Sequence, residues 1–346
     1  MAGTGAALTR ARKYSKLLYR DSSEVASEHH FLSLPGLIDG VDVWLKLEGV
    51  NLAGSIKLKA AKRMVENAER SGQLRPGGRI VESSSGSLGV ALSMIAAARN
   101  YAFTCVVDPN FSDTSLAAVR AFGAQILQVR RADANGGYLQ ARLALVRQCL
   151  ERDPELVWLN QYSNQANPAA HEEGTAKSIL QHFPQLDYLF VGVGTAGTLM
   201  GCAARFRDQS PGTRIVAVDA VGSVTFGGPA RPRHIPGLGA STPPPLFAHD
   251  HAHRHLRIRE IDAIRCCRML ARRYGYLAGG STGSIVAGVR SLRAEFEPGS
   301  VLVALSPDTG DRYYNTVYDD DWVLSHYGAE ALSSIYRDGE LESITQ

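Results

Sequence analysis

Lys57 stands behind the small turn Ala53-Gly54-Ser55 and at the start of a run, residues 60–68, whose apolar residues recur at helical spacing. An amine at a helix start lies in positive potential, which lowers the cost of holding it neutral. A neutral lysine amine attacks carbonyls and forms Schiff bases. The same residues also fit a plainer arrangement, in which Ser55 caps the helix and Lys57 is a solvated first-turn residue.

Three further small-residue segments can bind polar groups. Gly192, Gly194, Thr195, Ala196, Gly197, Thr198 and Gly201 fall between an apolar run and a helical one. Several backbone N–H groups can turn there toward one anion, the threonines add hydroxyl donors, and the helix dipole adds attraction, so the segment reads as a phosphate cradle. It has neither the P-loop lysine nor dinucleotide spacing, and a turn that needs glycine only for packing fits equally. Ser83, Ser84, Ser85, Gly86 and Ser87 offer amides and hydroxyls suited to a carboxylate, or simply an N-capped helix. In the third segment, residues 277–284, Ser281 can face a ring nitrogen, and Pro307 and Asp308 follow the last strand-like run. A lysine, a phosphate loop, a carboxylate loop and a ring-facing serine together suit an amino acid bound to pyridoxal phosphate.

The elements that must position these groups alternate. Residues 41–47, 79–82, 103–107, 124–129, 188–191, 214–218 and 301–305 read as strands, and residues 90–98 and 116–122 as helices between them. Apolar strands interleaved with helices imply parallel sheets covered on both faces, in two blocks divided between about residues 155 and 175. Ligands of such sheets gather at the carboxyl ends of strands, and all the glycine-rich segments are expected in strand-to-helix loops there. Residues 222–254 are irregular and proline-rich, as a lid or binding loop would be. His249, His251, His253 and His255 end that segment; they are either metal ligands sharing one face or, as preferred here, solvated loop histidines.

The chain of 346 residues can bury a large core, and its 45% apolar and 21% charged residues describe a globular protein. A formal charge of +3, with scattered basic residues, argues against nucleic acid, and no apolar run reaches membrane-spanning length. The five cysteines show neither metal spacing nor a disulfide framework, which suits a reducing, cytoplasmic setting, and no metal is expected. Arg10, Arg12, Lys13, Lys16 and Arg20 make a basic start that reads as a floppy extension or a transit peptide.

From about Trp44 to Trp322 the chain resembles the fold-type II pyridoxal-phosphate enzymes, the group of cysteine synthase and cystathionine β-synthase. The likeness is carried by Gly136-Gly137-Tyr138-Leu139, Asn160-Gln161-Tyr162, Ala217-Val218-Asp219-Ala220, Pro236-Gly237-Leu238-Gly239-Ala240-Ser241, the segment around Ser281, and Gly310-Asp311-Arg312-Tyr313. It implies two domains of open, mostly parallel twisted sheet flanked by helices. These are a large one of residues 1–48 and 156–330, a small mobile one of residues 49–155, and a tail of residues 331–346. It also implies a homodimer.

Carried over by position, the resemblance makes Lys57 the Schiff-base lysine. Gly194, Thr195, Ala196, Gly197 and Thr198 would hold the cofactor phosphate. Ser281 would face the ring nitrogen, with Ser87, Pro307 and Asp308 also at the cofactor. Ser84, Ser85, Gly86 and Gln161 would bind the substrate α-carboxylate, and Gly237, Gly239, Ala240 and Ser241 would close on it. Ser87 stands where the family usually has asparagine, and Leu52, Leu58 and Lys59 where it has proline, aspartate and arginine.

The likeness is closest to the branch that supplies 2,3-diaminopropionate for siderophores. That implies β-replacement on an O-activated L-serine, O-phospho-L-serine favoured over O-acetyl-L-serine, through an aminoacrylate intermediate and with an amine such as L-glutamate as nucleophile. A phosphate leaving group needs cationic partners; Arg142, one helical turn after Tyr138, is the candidate, with Tyr162 in support, although a solvated helix face also explains Arg142. Two other readings stand beside this one: a cysteine synthase using sulfide, and a non-catalytic cofactor-binding partner protein.

Overall fold

The computed structural model describes residues 18–26, 28–132 and 137–341. The basic stretch bearing Arg10, Arg12, Lys13 and Lys16 lies outside them, as does Gly136. Two parallel sheets organise the chain. The larger has six strands in the order β1 (Phe31–Ser33), β2 (Asp42–Leu47), β10 (Val301–Ser306), β7 (Tyr188–Gly192), β8 (Arg214–Ala220), β9 (Arg254–Ile258), and only β1 runs antiparallel to its neighbour. The smaller has four parallel strands in the order β5 (Gln125–Gln128), β4 (Ala102–Val107), β3 (Arg79–Ser83), β6 (Leu156–Trp158). Through β6 the chain stays with the smaller sheet as far as Trp158.

Strands β7, β8 and β10 lie inside the larger sheet and are buried on both faces, which is why they read as unbroken apolar runs. Their side chains form one large core with Phe206, Leu270 and Ile285 from the covering helices. The smaller sheet has its own core. Helix α1 (Lys57–Arg70) contributes Leu58, Ala61, Met64, Val65 and Ala68 to it, a single face at helical spacing. Helix α2 (Ser87–Ala98) is buried nearly all round, and its neighbour Cys105 on β4 is fully buried, with burial pushing the thiol up to about 12.

Helices α3 (Asp113–Ala121) and α4 (Leu139–Arg152) complete the smaller unit. Next come α5 (Ala166–Ala170), a π-helical stretch (His171–Ala176) and α6 (Lys177–His182), then α7 (Gly197–Gln209), α8 (Glu260–Tyr274) and α9 (Gly280–Ser291). The last helix, α10 (Asp320–Leu341), carries the chain well past residue 331 and is broken at Gly328. Its Ile335 is buried against a satellite core with Ile264 and Val323. No helix among the described residues is long and apolar enough to cross a membrane.

Several short elements escape sequence reading. Strands β1 and β6 have three residues each, too few to show a period. Strand β9 begins inside the histidine run, where His255 packs edge-on against Phe226, Phe247 and His249. No group of three or more metal-binding side chains occurs among the described residues.

Candidate active site

Lys57 is the first residue of α1 and is half-buried. The helix has no side-chain cap: the Ser55 hydroxyl is buried and makes no hydrogen bond, so the capped, solvated alternative does not describe this turn. The turn is instead stitched to the end of β10, where Ile56 N–H donates to Pro307 O (2.7 Å) and Ser55 pairs with Asp308 as an isolated bridge. Burial holds the Lys57 amine below the ordinary lysine range, and the Asp308 carboxylate works against that shift. No acceptor takes a hydrogen bond from Lys57 among the described residues, which leaves a desolvated amine free to react.

Asp308 is buried in the same corner. Tyr313 donates to its Oδ2 (2.7 Å) and Ser281 to its Oδ1 (3.3 Å). Burial raises the carboxyl to about 6, against the pull of Tyr313, Arg312 and Ser281. Ser281 lies in the first turn of α9, but its loop is entered from α8 through the left-handed Gly275, not from a strand as expected. The loop meets the end of β10 through Gly279 N–H to Asp308 O (3.3 Å) and a bridge between Ala278 and Thr309.

The turn between β7 and α7 has the shape of an anion cradle. Ala196 adopts a left-handed conformation (φ 68°), and α7 starts immediately after it with no side-chain cap. Among the described residues, the backbone N–H groups of Gly194, Thr195 and Ala196 find no protein acceptor, and the first N–H groups of α7 are unpaired as in any helix. The glycines are required by close approach: a Cβ on Gly197 would lie 2.1 Å from Asn167 Oδ1, and one on Gly194 would lie 2.9 Å from Gly237 O. Gly239 N–H donates to Val193 O (2.9 Å), and a Cβ on Gly237 would touch the Ser281 side chain, so the 236–241 loop closes the same corner. Ser223 holds that loop through Ala240 N–H (2.9 Å), while Ser241 is half-buried and makes no side-chain bond among the described residues.

The carboxylate loop is partly what was expected. The Ser84 hydroxyl caps α2, accepting from Gly86 N–H (3.1 Å) and Gly89 N–H (2.9 Å), and Ser84 N–H goes to Val106 O, so Ser84 and Gly86 are engaged within the protein. Exposed Ser85 and the unpaired N–H groups at the start of α2 remain for a ligand. Gln161 donates its amide to Ser83 O (2.8 Å) and keeps a second amide proton. Beneath them, Glu82 is buried and takes Trp158 Nε1, Ser83 N and Gln161 N; burial raises it to about 7 against those bonds. Ser87 is held by Arg312, whose guanidinium also donates to Ala53 O (2.5 Å) and so ties the lysine turn to α2.

Arg142 is buried, not on a solvated face. Its Nε lies 3.3 Å from Asp108 Oδ2, yet neither Nε nor Nη1 makes a hydrogen bond. Its neighbour Tyr162 is 3.3 Å from Ser83 Oγ, which brings this cation to the edge of the carboxylate loop.

Sequence reasoning missed Asn167, His171 and Glu82, and named Lys59 and Arg312 without giving them a role. Asn167 bridges Gln161 O (2.9 Å) and Thr195 Oγ1 (3.1 Å), and thereby joins the carboxylate loop to the cradle. Arg312 lay within the Gly310-Asp311-Arg312-Tyr313 signal, but nothing local shows that it reaches across to Ser87.

A desolvated lysine amine beside Asp308, an anion cradle joined to the Ser281 corner through the 236–241 loop, and spare donors for a carboxylate fit pyridoxal phosphate, and the comparisons agree. A family model described as "Pyridoxal-phosphate dependent enzyme" matches residues 30–308. N-(2-amino-2-carboxyethyl)-L-glutamate synthase of Ralstonia nicotianae is 43% identical over 295 residues, 84% of this chain and 87% of that protein. The protein of the same name from Cupriavidus metallidurans is 42% identical over 299 residues, 85% of this chain and 87% of that one. The crystal structure of O-ureido-L-serine synthase superposes with a TM-score of 0.81 at 30% identity, covering 88% of this chain and 99% of that one. A hydrogen sulfide-producing enzyme from Fusobacterium nucleatum gives 0.81 at 27% identity, covering 86% of this chain and all of that one. The chain belongs to the pyridoxal-phosphate dependent enzymes of fold type II.

Proposed function

We propose that this enzyme carries out β-replacement on an O-activated L-serine, O-phospho-L-serine by preference, with the amine of L-glutamate as nucleophile and N-(2-amino-2-carboxyethyl)-L-glutamate as product. The pyridoxal ring, when bound, supplies the aldehyde for Lys57 and an electron sink for the substrate's Cα. Lys57 Nζ, already depressed by burial, takes the Cα proton and returns it after the new bond forms. Gly194, Thr195, Ala196, Gly197 and Thr198 would hold the phosphate of the cofactor, and Ser281 would meet its ring nitrogen. The Ser281 hydroxyl donates to Asp308 Oδ1 (3.3 Å) and would turn to the ring nitrogen when the cofactor is bound.

Ser85, the first N–H groups of α2 and Gln161 bind the α-carboxylate, with Ser84 and Gly86 shaping the loop. The leaving group departs toward Arg142 and Tyr162. The observation that carries the preference for phosphate is the buried Arg142 guanidinium, which is ion-paired with Asp108 through Nε (3.3 Å) yet makes no hydrogen bond from Nε or Nη1 and so keeps donors for an anion. The smaller sheet with its helices closes on the substrate, the chain pairs as a homodimer, and its setting is the cytoplasm.

Incubation with O-phosphoserine and an equimolar mixture of glutamate and sulfide, read by mass spectrometry, tests this reading. The glutamate adduct is expected to dominate; cysteine as the main product would reject the amine nucleophile.

A further inference from the structure

Behind the cradle lies a buried polar cluster. Lys59 Nζ sits between Glu28 Oε2 and Glu48 Oε2, 2.5 Å from each, and 3.1 Å from Thr175 Oγ1. Thr175 Oγ1 is 3.3 Å from His171 Nδ1, and His171 Nε2 is 3.2 Å from Thr198 Oγ1. The cluster therefore runs from the lysine to a hydroxyl of the cradle.

We propose that Lys59, Thr175 and His171 form a one-directional hydrogen-bond chain that turns the Thr198 hydroxyl proton away from the protein and into the cradle. This rests on the reading that the cradle holds the cofactor phosphate, and it makes the three residues positioning residues for that phosphate.

Direction follows from donor and acceptor chemistry. An ammonium only donates, so Thr175 Oγ1 accepts from Lys59. Among the described residues the Thr175 proton has a single acceptor, His171 Nδ1. A neutral imidazole whose Nδ1 accepts carries its proton on Nε2 and donates it to Thr198 Oγ1. Thr198 then has no protein acceptor for its own proton among the described residues, which leaves that proton for a ligand of the cradle. Burial, with Lys59 nearby, holds His171 far below its ordinary value, at about 3, so the ring stays neutral across the working range.

The second cradle hydroxyl is arranged the same way by different atoms. Asn167 Nδ2 donates to Gln161 O, which fixes the amide orientation, and donates also to Thr195 Oγ1, again leaving a hydroxyl proton for a ligand. The π-helical turn at His171–Ala176 is what carries both His171 and Thr175 to the back of α7, and such turns recur at functional sites.

The test uses the full-length holoenzyme and measures two things, the nitrogen-15 signature of His171 and the dissociation constant for pyridoxal 5'-phosphate. The proposal expects the proton on Nε2 in wild type. Thr175→Val should weaken cofactor binding by roughly tenfold to a hundredfold, as loss of a hydrogen bond to an anion does, and Thr175→Ser should restore it. Thr198→Val should cost as much, and the Thr175→Val/Thr198→Val double variant should be no worse than either single one. A proton on Nδ1, or additive losses in the double variant, overturns the chain while leaving the phosphate site standing. Unchanged cofactor affinity in Thr198→Val overturns the phosphate assignment and the proposal together.

Discussion

Arg142 and Glu48 show how buried charge separates function from structure in this protein. Both are enclosed, but Glu48 has two lysines, Lys59 at 2.5 Å and Lys46 at 3.4 Å, whereas Arg142 has the single carboxylate of Asp108 at 3.3 Å and keeps donors that no acceptor takes. Arg142→Met should therefore raise KM for O-phosphoserine by roughly tenfold to a hundredfold, the worth of charge-assisted hydrogen bonds, and change KM for O-acetylserine little. Equal losses on both substrates, in steady-state assays, would make Arg142 a structural residue. At Glu48 burial pushes the carboxyl up, but Lys59 and then Lys46 bring it down to about 2. A depressed carboxylate stabilises the fold above its unfolded value near 4.5, and that contribution fades as pH falls toward 2. Lys59→Met should cost about 3–5 kcal/mol at neutral pH by leaving a buried charge short of its partner. The deficit should shrink as pH falls from about 4.5 toward 2, which urea denaturation at pH 7 and pH 3 would show. A deficit independent of pH would point to lost packing instead.

At the scale of elements, α7 and the α5–π-helix segment are locked by contact. A Cβ on Gly201 would lie 2.1 Å from Pro168 O, a backbone atom that cannot step aside. Gly201→Ala should push the two apart, lower stability by about 1–3 kcal/mol as overpacking does, and loosen the cofactor because Asn167 and His171 move with that segment. Thermal denaturation together with cofactor titration checks this; unchanged values would mean that the helices are not rigidly set against each other. The same elements show why sequence reading stopped where it did. The lysine turn, the cradle and the strands that lead to them were legible because glycine, small residues and apolar runs have local causes. Ser281 was legible as a residue, though its approach from α8 was not, since a helix ending at Gly275 resembles any glycine turn. Asn167, His171 and Lys59 act only through partners distant in sequence, with Lys59 and Thr175 lying 116 residues apart. The chemistry of Arg142 could be guessed from its type, but its burial depends on α4 packing against the smaller sheet.

Across the whole molecule, the candidate site draws on residues that follow strands of both sheets, Ser84 to Ser87 after β3 and Gly194 to Thr198 after β7. Arg312, from the turn after β10, reaches both Ala53 and Ser87, so one side chain joins the lysine turn, α2 and the larger unit. Gln140 of the smaller unit likewise reaches Thr242 in the long loop (3.3 Å). If the smaller unit closes on substrate, addition of O-phosphoserine should slow hydrogen exchange at the start of α2 and in residues 236–242 together. Protection confined to one of them would argue for a rigid site. All of this depends on Lys57 being the residue that holds the cofactor. Reduction of the holoenzyme with borohydride, followed by peptide mapping, measures that directly. A pyridoxyl group on Lys57 alone is expected; label on Lys46, Lys59 or any other lysine, or none anywhere, would contradict that role.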